Sequence, residues 1–158
     1  MFLKIQPGKH EMTKKKILLV NGPNLRLLGR REPEIYGRTT LAEIETACRE
    51  LAEDLGFELE CFQSDSEGAL ISRIGEAPLQ GVCGIVINPA GYTHTSVALH
   101  VALLAAALPA VEVHLSNIFT REEFRHTSIT GSACIGVVAG FGKESYILAL
   151  RALAARLS

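Results

Sequence analysis

Strand-like and helix-like patterns of apolar residues alternate along this chain. Five short strand patterns occupy residues 16–20, 57–62, 84–87, 110–114 and 133–138. Helical periodicity, with apolar residues three or four positions apart, marks residues 41–55, 67–75, 96–108 and 143–157. The second strand pattern alternates apolar and polar residues, as a strand at a sheet edge does, whereas the first and third are almost wholly apolar, as buried strands are.

This alternation predicts an α/β fold, specifically a flavodoxin-like, doubly wound, five-stranded parallel sheet with helices on both faces. Residues 16–158 are expected to form one catalytic domain of this kind, and residues 1–15 a disordered extension in which Met12 is a second possible initiator. Ligands of such sheets bind beyond the carboxyl ends of the strands. The loops after the first, third and fourth strands carry the polar residues suited to a site.

The loop after the first strand, Asn21–Arg38, is unusually long. Its eighteen residues exceed the few that normally join a strand to a helix. It contains Tyr36 and four arginines. Because a nearby positive charge favours the ionised form of a phenol, the loop is a candidate for chemistry. Taken alone, Tyr36 is better interpreted as an anchor that packs the loop on the sheet.

The helix predicted over Ser96–Leu108 is apolar on nearly every side. Such a helix is either fully buried within its own subunit or in contact with another subunit. One sheet with few helices cannot easily bury a helix all round, so both interpretations stay open.

Composition narrows the class of protein. Of 158 residues, 47% are hydrophobic and 21% are charged, as in a soluble globular protein. The net charge is −1, so the charge balance gives no reason to expect nucleic acid or a membrane as partner. The four cysteines form no C-x-x-C pair. They are expected to be buried, reduced thiols of a cytoplasmic protein.

Common nucleotide and phosphate motifs are absent. No G-x-G-x-x-G follows the first strand, so a dinucleotide site is not supported. The run Gly140–Lys143 resembles the end of a P-loop, but Glu144 replaces the required hydroxyl residue. The first strand is followed neither by paired acidic residues nor by the hydroxyl-rich loop of a flavin carrier.

Three histidines, His94, His114 and His126, lie in or beside the predicted strand-end loops. Their spacing matches no metal motif, so acid–base chemistry is the better interpretation. Glu112 precedes His114 by two residues, and along an extended strand the two side chains point the same way. A carboxylate beside an imidazole fixes its tautomer and favours its protonated form, although a purely structural ion pair is the alternative.

Four segments together resemble the type II 3-dehydroquinate dehydratases over most of residues 16–157. They are NGPNLRLLGRREPEIYG, INPAGYTHTS, VEVHLSN and REEFRH, in this order. The resemblance implies a flavodoxin-like fold, trimers assembled into a homododecamer, and dehydration of 3-dehydroquinate to 3-dehydroshikimate by anti elimination through an enolate. It implies no metal, Schiff base or other cofactor.

The resemblance also implies roles for individual residues. Tyr36 is the expected base, Arg31 the residue that activates it, and Asn24 the holder of a water against the enolate oxygen. His114, oriented by Glu112, is the expected acid for the departing hydroxyl. The residues expected to bind substrate are Asn88, His94 and Arg125 at the ring hydroxyls, Leu115 and Ser116 at the carboxylate, and Arg121 in a closing lid.

One departure from the family pattern concerns subunit contacts. Val101 stands where the family usually has an aspartate that reaches the site of a neighbouring subunit. A second, milder departure is Thr127, at a position where the family often has a histidine. We expect weaker substrate affinity with intact chemistry. The alternative is a non-catalytic oligomeric relative that binds a ring carboxylic acid without converting it.

Overall fold

A computed structural model describes residues 12–158 and contains one five-stranded, all-parallel sheet. The strands are β1 (Lys15–Asn21), β2 (Phe57–Gln63), β3 (Val82–Asn88), β4 (Ala110–His114) and β5 (Gly136–Ala139), in the order β2-β1-β3-β4-β5. The predicted fold class is confirmed, and β2 lies at an edge as its alternating pattern predicts. The expected N-terminal extension falls mostly on residues 1–11, outside the described residues, and Lys15 already belongs to β1.

Helices cover both faces of the sheet. They are α1 (Pro33–Tyr36), α2 (Leu41–Asp54), α3 (Glu67–Glu76), α4 (Val97–Ala106) and α5 (Lys143–Leu157). Ile17 and Leu19 of β1 pack in the core with α2 and α5, whereas Leu18 and Val20 pack with α3 and α4. Because successive strand residues face opposite sides, one buried strand serves two cores, which explains its uniformly apolar sequence.

Helix ends follow the local sequence. Thr40 and Glu43 form a capping box at α2, with hydrogen bonds of 2.8 and 3.2 Å between side chain and backbone. Gly56 follows that helix with a φ of 87°. Ser96 caps α4, which ends at Ala107 with a left-handed φ of 54°, a conformation that is costly for a residue with a Cβ.

The structure differs from the predicted elements in two details. The long first loop contains a 3-10 turn, Leu25–Leu27, and the single helical turn α1. The last strand begins at Gly136 instead of residue 133, since Gly131–Ala133 form another 3-10 turn. Within residues 12–158 no helix combines the length and apolar character needed to cross a membrane.

The chain reverses its direction of winding between β1 and β3, and the two strand ends nearly touch there. The amide of Gly22 donates to the carbonyl of Asn88 at 2.8 Å. A Cβ on Gly22 would lie 2.5 Å from the carbonyl oxygen of Pro89, so only glycine permits this approach. The crevice of a doubly wound sheet opens at this switch point.

The outer face of α4 is apolar and uncovered in the single chain. Val97, Val101 and Leu104, spaced four and three residues apart, are 62%, 55% and 56% exposed. The interpretation that this helix is fully buried within its own subunit is therefore wrong. A subunit contact on this face stays a prediction.

Candidate active site

A cavity of about 170 Å³ opens at the carboxyl ends of the strands. It is lined by ten of the eleven residues that the sequence singled out: Asn24, Arg31, Tyr36, Asn88, His94, His114, Leu115, Ser116, Arg121 and Arg125. The eleventh, Glu112, lies behind His114 and is fully buried. Residues as far apart in the chain as Asn24 and Arg125 are thus brought together around one space.

His114 and Glu112, at the end of β4, form the predicted pair. The Nε2 atom of His114 lies 2.7 Å from Oε1 of Glu112. A carboxylate can only accept, so Nε2 carries the hydrogen, and Nδ1 is the nitrogen left for a ligand in the cavity. The contact with Glu112 therefore fixes the orientation of the ring and determines which nitrogen faces the cavity.

The surroundings of Glu112 keep it ionised. Burial alone would raise the pKa of this carboxyl, but hydrogen bonds from His114, Thr130 and Ser128 together outweigh burial and hold the pKa below its ordinary value. Ser128 donates to Oε1 at 2.7 Å, and Thr130 donates to Oε2. These two hydroxyls, on the turn before β5, were not identified from the sequence because nothing near them in the chain marks a carboxylate partner.

The arginine that contacts the Tyr36 phenol is Arg121. Its Nη1 donates to the phenolic oxygen at 2.8 Å, and its guanidinium carbon lies 5.2 Å from the ring centre. The Arg121 side chain is 13% exposed. The phenol therefore has a partly buried cation within hydrogen-bonding distance.

The predicted partner, Arg31, lines the same cavity but pairs elsewhere. Its Nε lies 3.4 Å from a carboxylate oxygen of Glu32, and half of its side chain is exposed. The activating role of Arg31 stays a prediction, but the arginine in contact with the phenol is Arg121. The contact with Arg121 follows from the position of α1. Because α1 starts directly after Arg31 and Glu32, its single turn presents Tyr36 to the loop after β4, where Arg121 lies.

Asn24 is held in place by Asp65, a residue that sequence reasoning missed. The backbone of Asn24 is left-handed, with φ of 66°, and its amide donates to Oδ1 of Asp65 at 2.9 Å. Arg26 donates to Oδ2 through two nitrogens, at 3.0 and 2.9 Å. Tyr92 donates to the carbonyl of Asp65 at 2.7 Å, so one acidic residue ties together three loops around the site.

Asn88 and His94 come from the segment after β3. The side chain of Asn88 accepts from the amide of Ala90 at 3.0 Å and donates to Tyr146 at 2.8 Å. Nδ1 of His94 lies 2.8 Å from the carbonyl oxygen of Thr127. Since a carbonyl accepts, Nδ1 is protonated and Nε2 is left for a ligand.

The remaining predicted residues follow β4. Ser116 Oγ lies 3.5 Å from Nη1 of Arg121, and Arg125 donates to Glu122 at 2.5 Å while stacking over Phe124. Six further residues line the cavity: Pro23, Leu25, Leu28, Ala90, Gly91 and Ile118. Most are apolar, and an apolar residue in a loop gives no sequence signal that distinguishes a cavity wall from the core.

The cavity is rich in cations and poor in metal ligands. Arg31, Arg121 and Arg125 line it, which suits an anionic substrate. No cluster of three or more His, Cys, Asp or Glu side chains suited to a metal ion occurs in the part of the chain that the structure describes.

Comparison with known proteins agrees with this geometry. The family described as "Dehydroquinase class II" matches residues 15–154. Proteins named 3-dehydroquinate dehydratase from Geotalea daltonii and Rhodopseudomonas palustris are 58% and 54% identical, over 87% and 90% of this chain and 95% of each relative.

Solved structures agree as well. The type II dehydroquinase of Butyrivibrio crossotus has a TM-score of 0.87 and 45% identity, covering 89% of this chain and 97% of that one. That of Propionibacterium acnes has a TM-score of 0.85 and 44% identity, covering 90% and 97%. On the strength of its fold, its site and these likenesses, the chain belongs to the class II dehydroquinase family.

Proposed function

We propose that this protein is a hydro-lyase that removes water from 3-dehydroquinate to give 3-dehydroshikimate, by anti elimination through an enolate. The observation that carries the proposal is the pairing, in one cavity, of a phenol held by a guanidinium with an imidazole held by a buried carboxylate. Relatives named 3-dehydroquinate dehydratase support the choice of substrate.

Tyr36 is the proposed base that takes the C2 proton. A proton beside a ketone is weakly acidic, so its removal requires both a strong base and stabilisation of the enolate. Arg121 is suited to stabilising the phenolate, because its guanidinium lies 2.8 Å from the phenolic oxygen. Arg31 lines the cavity on a half-exposed side chain, and we propose that it leaves Glu32 for the phenolate when substrate binds.

Stabilisation of the enolate is assigned to Asn24. We propose that its side chain holds a water against the enolate oxygen. The hydrogen bond from its backbone to Asp65 supports this role, because it fixes the residue's position in the loop. A positioned donor contributes most where charge develops during the reaction.

His114 is the proposed acid for the departing hydroxyl. With Nε2 engaged by Glu112, the proton would leave from Nδ1. Ionised Glu112 supports this step because it stabilises the protonated ring before transfer and orients the ring throughout.

Substrate binding is assigned to the remaining lining residues. We propose that Leu115, through its backbone amide, and Ser116, through its hydroxyl, bind the carboxylate. Asn88, His94 and Arg125 would bind the ring hydroxyls, and Arg121 would close with the lid over them. Closure of such a lid excludes water from the enolate.

Assembly into trimers, and of four trimers into a homododecamer, is the proposed quaternary structure. The apolar face of α4, formed by Val97, Val101 and Leu104, supports a contact between copies. Leu104→Glu should then lower the molecular mass of the assembly measured by sedimentation velocity. Glu50→Lys, an exposed change on α2, should leave that mass unchanged. Equal masses for the two variants would contradict the contact.

Val101 offers a second test of the same contact. If the aspartate usual at this position binds the neighbouring site, Val101→Asp should lower KM without raising kcat. An unchanged KM would count against our expectation that valine weakens substrate affinity.

The four cysteines are all free thiols, which supports the proposed cytoplasmic location.

The activity is tested by following enone absorbance after adding 3-dehydroquinate. Wild-type protein should turn over, and Tyr36→Phe, which retains the ring without the phenol oxygen, should not. Arg30→Gln, an exposed change in the same loop as Tyr36, is the control. Binding without any turnover by the wild type would favour the non-catalytic alternative.

A further inference from the structure

A buried chain of hydrogen bonds runs beneath the cavity from β3 to β1 through α5. Asn88 Nδ2 donates to the Tyr146 hydroxyl at 2.8 Å, and that hydroxyl donates to Oδ1 of Asn21 at 2.8 Å. The exposures of Asn88, Tyr146 and Asn21 are 3%, 0% and 0%. Only Asn88 lines the cavity.

The backbone amide of Ala90 sets the donor-to-acceptor direction of all the hydrogen bonds in this buried series. The Ala90 amide can only donate, so the atom facing it at 3.0 Å must be the oxygen of the Asn88 side chain. Nδ2 therefore faces Tyr146, whose single hydrogen must point to Asn21 Oδ1. Burial raises the pKa of Tyr146, so its hydroxyl keeps the hydrogen that this arrangement requires.

An unpaired group at the far end agrees with this direction. Asn21 Nδ2 is buried and has no hydrogen-bond partner within residues 12–158. Turning the Asn21 amide over would give Nδ2 a partner but would leave the phenolic hydrogen and a carbonyl oxygen unpaired. A buried polar group without a partner is unfavourable, so the observed orientation leaves the fewest such groups.

Building on the proposed function, we propose that Tyr146 is a positioning residue that fixes the Asn88 amide so that the site offers the substrate a hydrogen-bond donor. One Nδ2 hydrogen is engaged by Tyr146, and the second is left for the cavity. The matching substrate group is an oxygen that accepts, such as a ring hydroxyl held through its lone pair. Tyr146 itself lies outside the cavity lining.

Tyr146→Phe tests the proposal because it removes the hydroxyl and retains the ring that fills the core. Without this partner the Asn88 amide keeps only its hydrogen bond from the Ala90 amide, so its nitrogen is held less firmly for the substrate. We expect KM to rise about fivefold to tenfold, which is the effect of losing one net hydrogen bond. We expect kcat to stay within twofold of wild type, because an interaction made equally in the ground state and the transition state contributes to KM and not to kcat.

Two further variants separate positioning from general destabilisation. Leu153→Val, on the same helix and also buried, should lower Tm to a similar extent and leave KM unchanged. In an Asn88→Ala background, Tyr146→Phe should have no further effect on kcat/KM, because Tyr146 acts through Asn88.

The outcomes are distinguishable. The positioning role is overturned if Tyr146→Phe lowers only Tm. It is also overturned if the effect of Tyr146→Phe on kcat/KM persists in the Asn88→Ala background. Inactive wild-type protein overturns the proposed dehydratase function instead, because all of these comparisons start from an active wild type.

Discussion

Arg121 donates a hydrogen bond to the Tyr36 phenol at 2.8 Å, although 85 residues separate them in the chain. The contact joins the loop after β1 to the loop after β4 within the lining of the cavity. It provides the proposed base with a cation other than Arg31. The two arginines can therefore be tested independently.

Arg121→Gln should lower kcat/KM by about tenfold to a hundredfold, matching the ~1.5–3 kcal/mol of a hydrogen bond to a charged group. Arg31→Gln should also lower activity if Arg31 moves to the phenol on substrate binding. Arg30→Gln, an exposed change in the same loop, is the control for both. An Arg121 variant as active as this control would show that the observed contact has no part in catalysis.

Stability should depend on the charge of Glu112. The folded-state pKa of this carboxyl lies below its ordinary value of 4.5. Its contribution to the free energy of unfolding is then fully present above about pH 4.5 and is lost as pH falls through the lowered pKa. Urea unfolding of wild type and Glu112→Gln should give a difference at pH 7 that shrinks as the solution is acidified.

The comparison of wild type with Glu112→Gln also controls for other titrating carboxyls, because they are common to both proteins. A difference that stays constant from pH 7 to acid would mean that Glu112 is not ionised in the folded protein.

Asp65→Ala should reduce kcat/KM by roughly threefold to tenfold, the effect of one or two net hydrogen bonds, because the Asn24 backbone loses its anchor. Arg26→Gln should have the smaller effect, since Asp65 would still accept from the Asn24 amide. Steady-state kinetics of both variants checks the order. The reverse order would indicate that the Arg26 ion pair, and not the backbone contact, holds the loop.

Ala107→Gly should stabilise the protein by about 0.5–1 kcal/mol, because glycine adopts the left-handed conformation at the end of α4 without strain. Ala105→Gly, within the same helix, is the matched control and should destabilise by a similar amount. Thermal and urea unfolding measure both. Destabilisation by both changes would mean that the left-handed φ at Ala107 carries no strain.

The sequence patterns predicted the elements because they depend on local spacing. The capping residues Thr40 and Glu43 marked the start of α2, and the apolar β1 indicated a strand with two buried faces. The ten cavity residues were expected from the resemblance to the family, and they meet at one edge because parallel strands deliver their carboxyl-end loops there.

Contacts between distant parts of the chain were not predictable in the same way. The family resemblance implied Arg31 as the residue that activates Tyr36, whereas the observed contact is with Arg121 and depends on how α1 turns the phenol. Asp65 carried no signal, because its partners lie in the loops after β1 and β3. The left-handed backbone at Ala90 and Ala107 was not predictable either, because alanine carries no local preference for that conformation.

The place of Tyr146 in the last helix has a consequence for synthesis of the protein. Both asparagines that it joins, Asn21 and Asn88, leave the ribosome long before it does. Because a domain folds as its segments become available, a nascent chain that ends before α5 lacks the core residues of that helix and, on our proposal, the support of Asn88. We therefore expect the site to be completed only when the final helix has emerged, and prematurely terminated chains to lack activity.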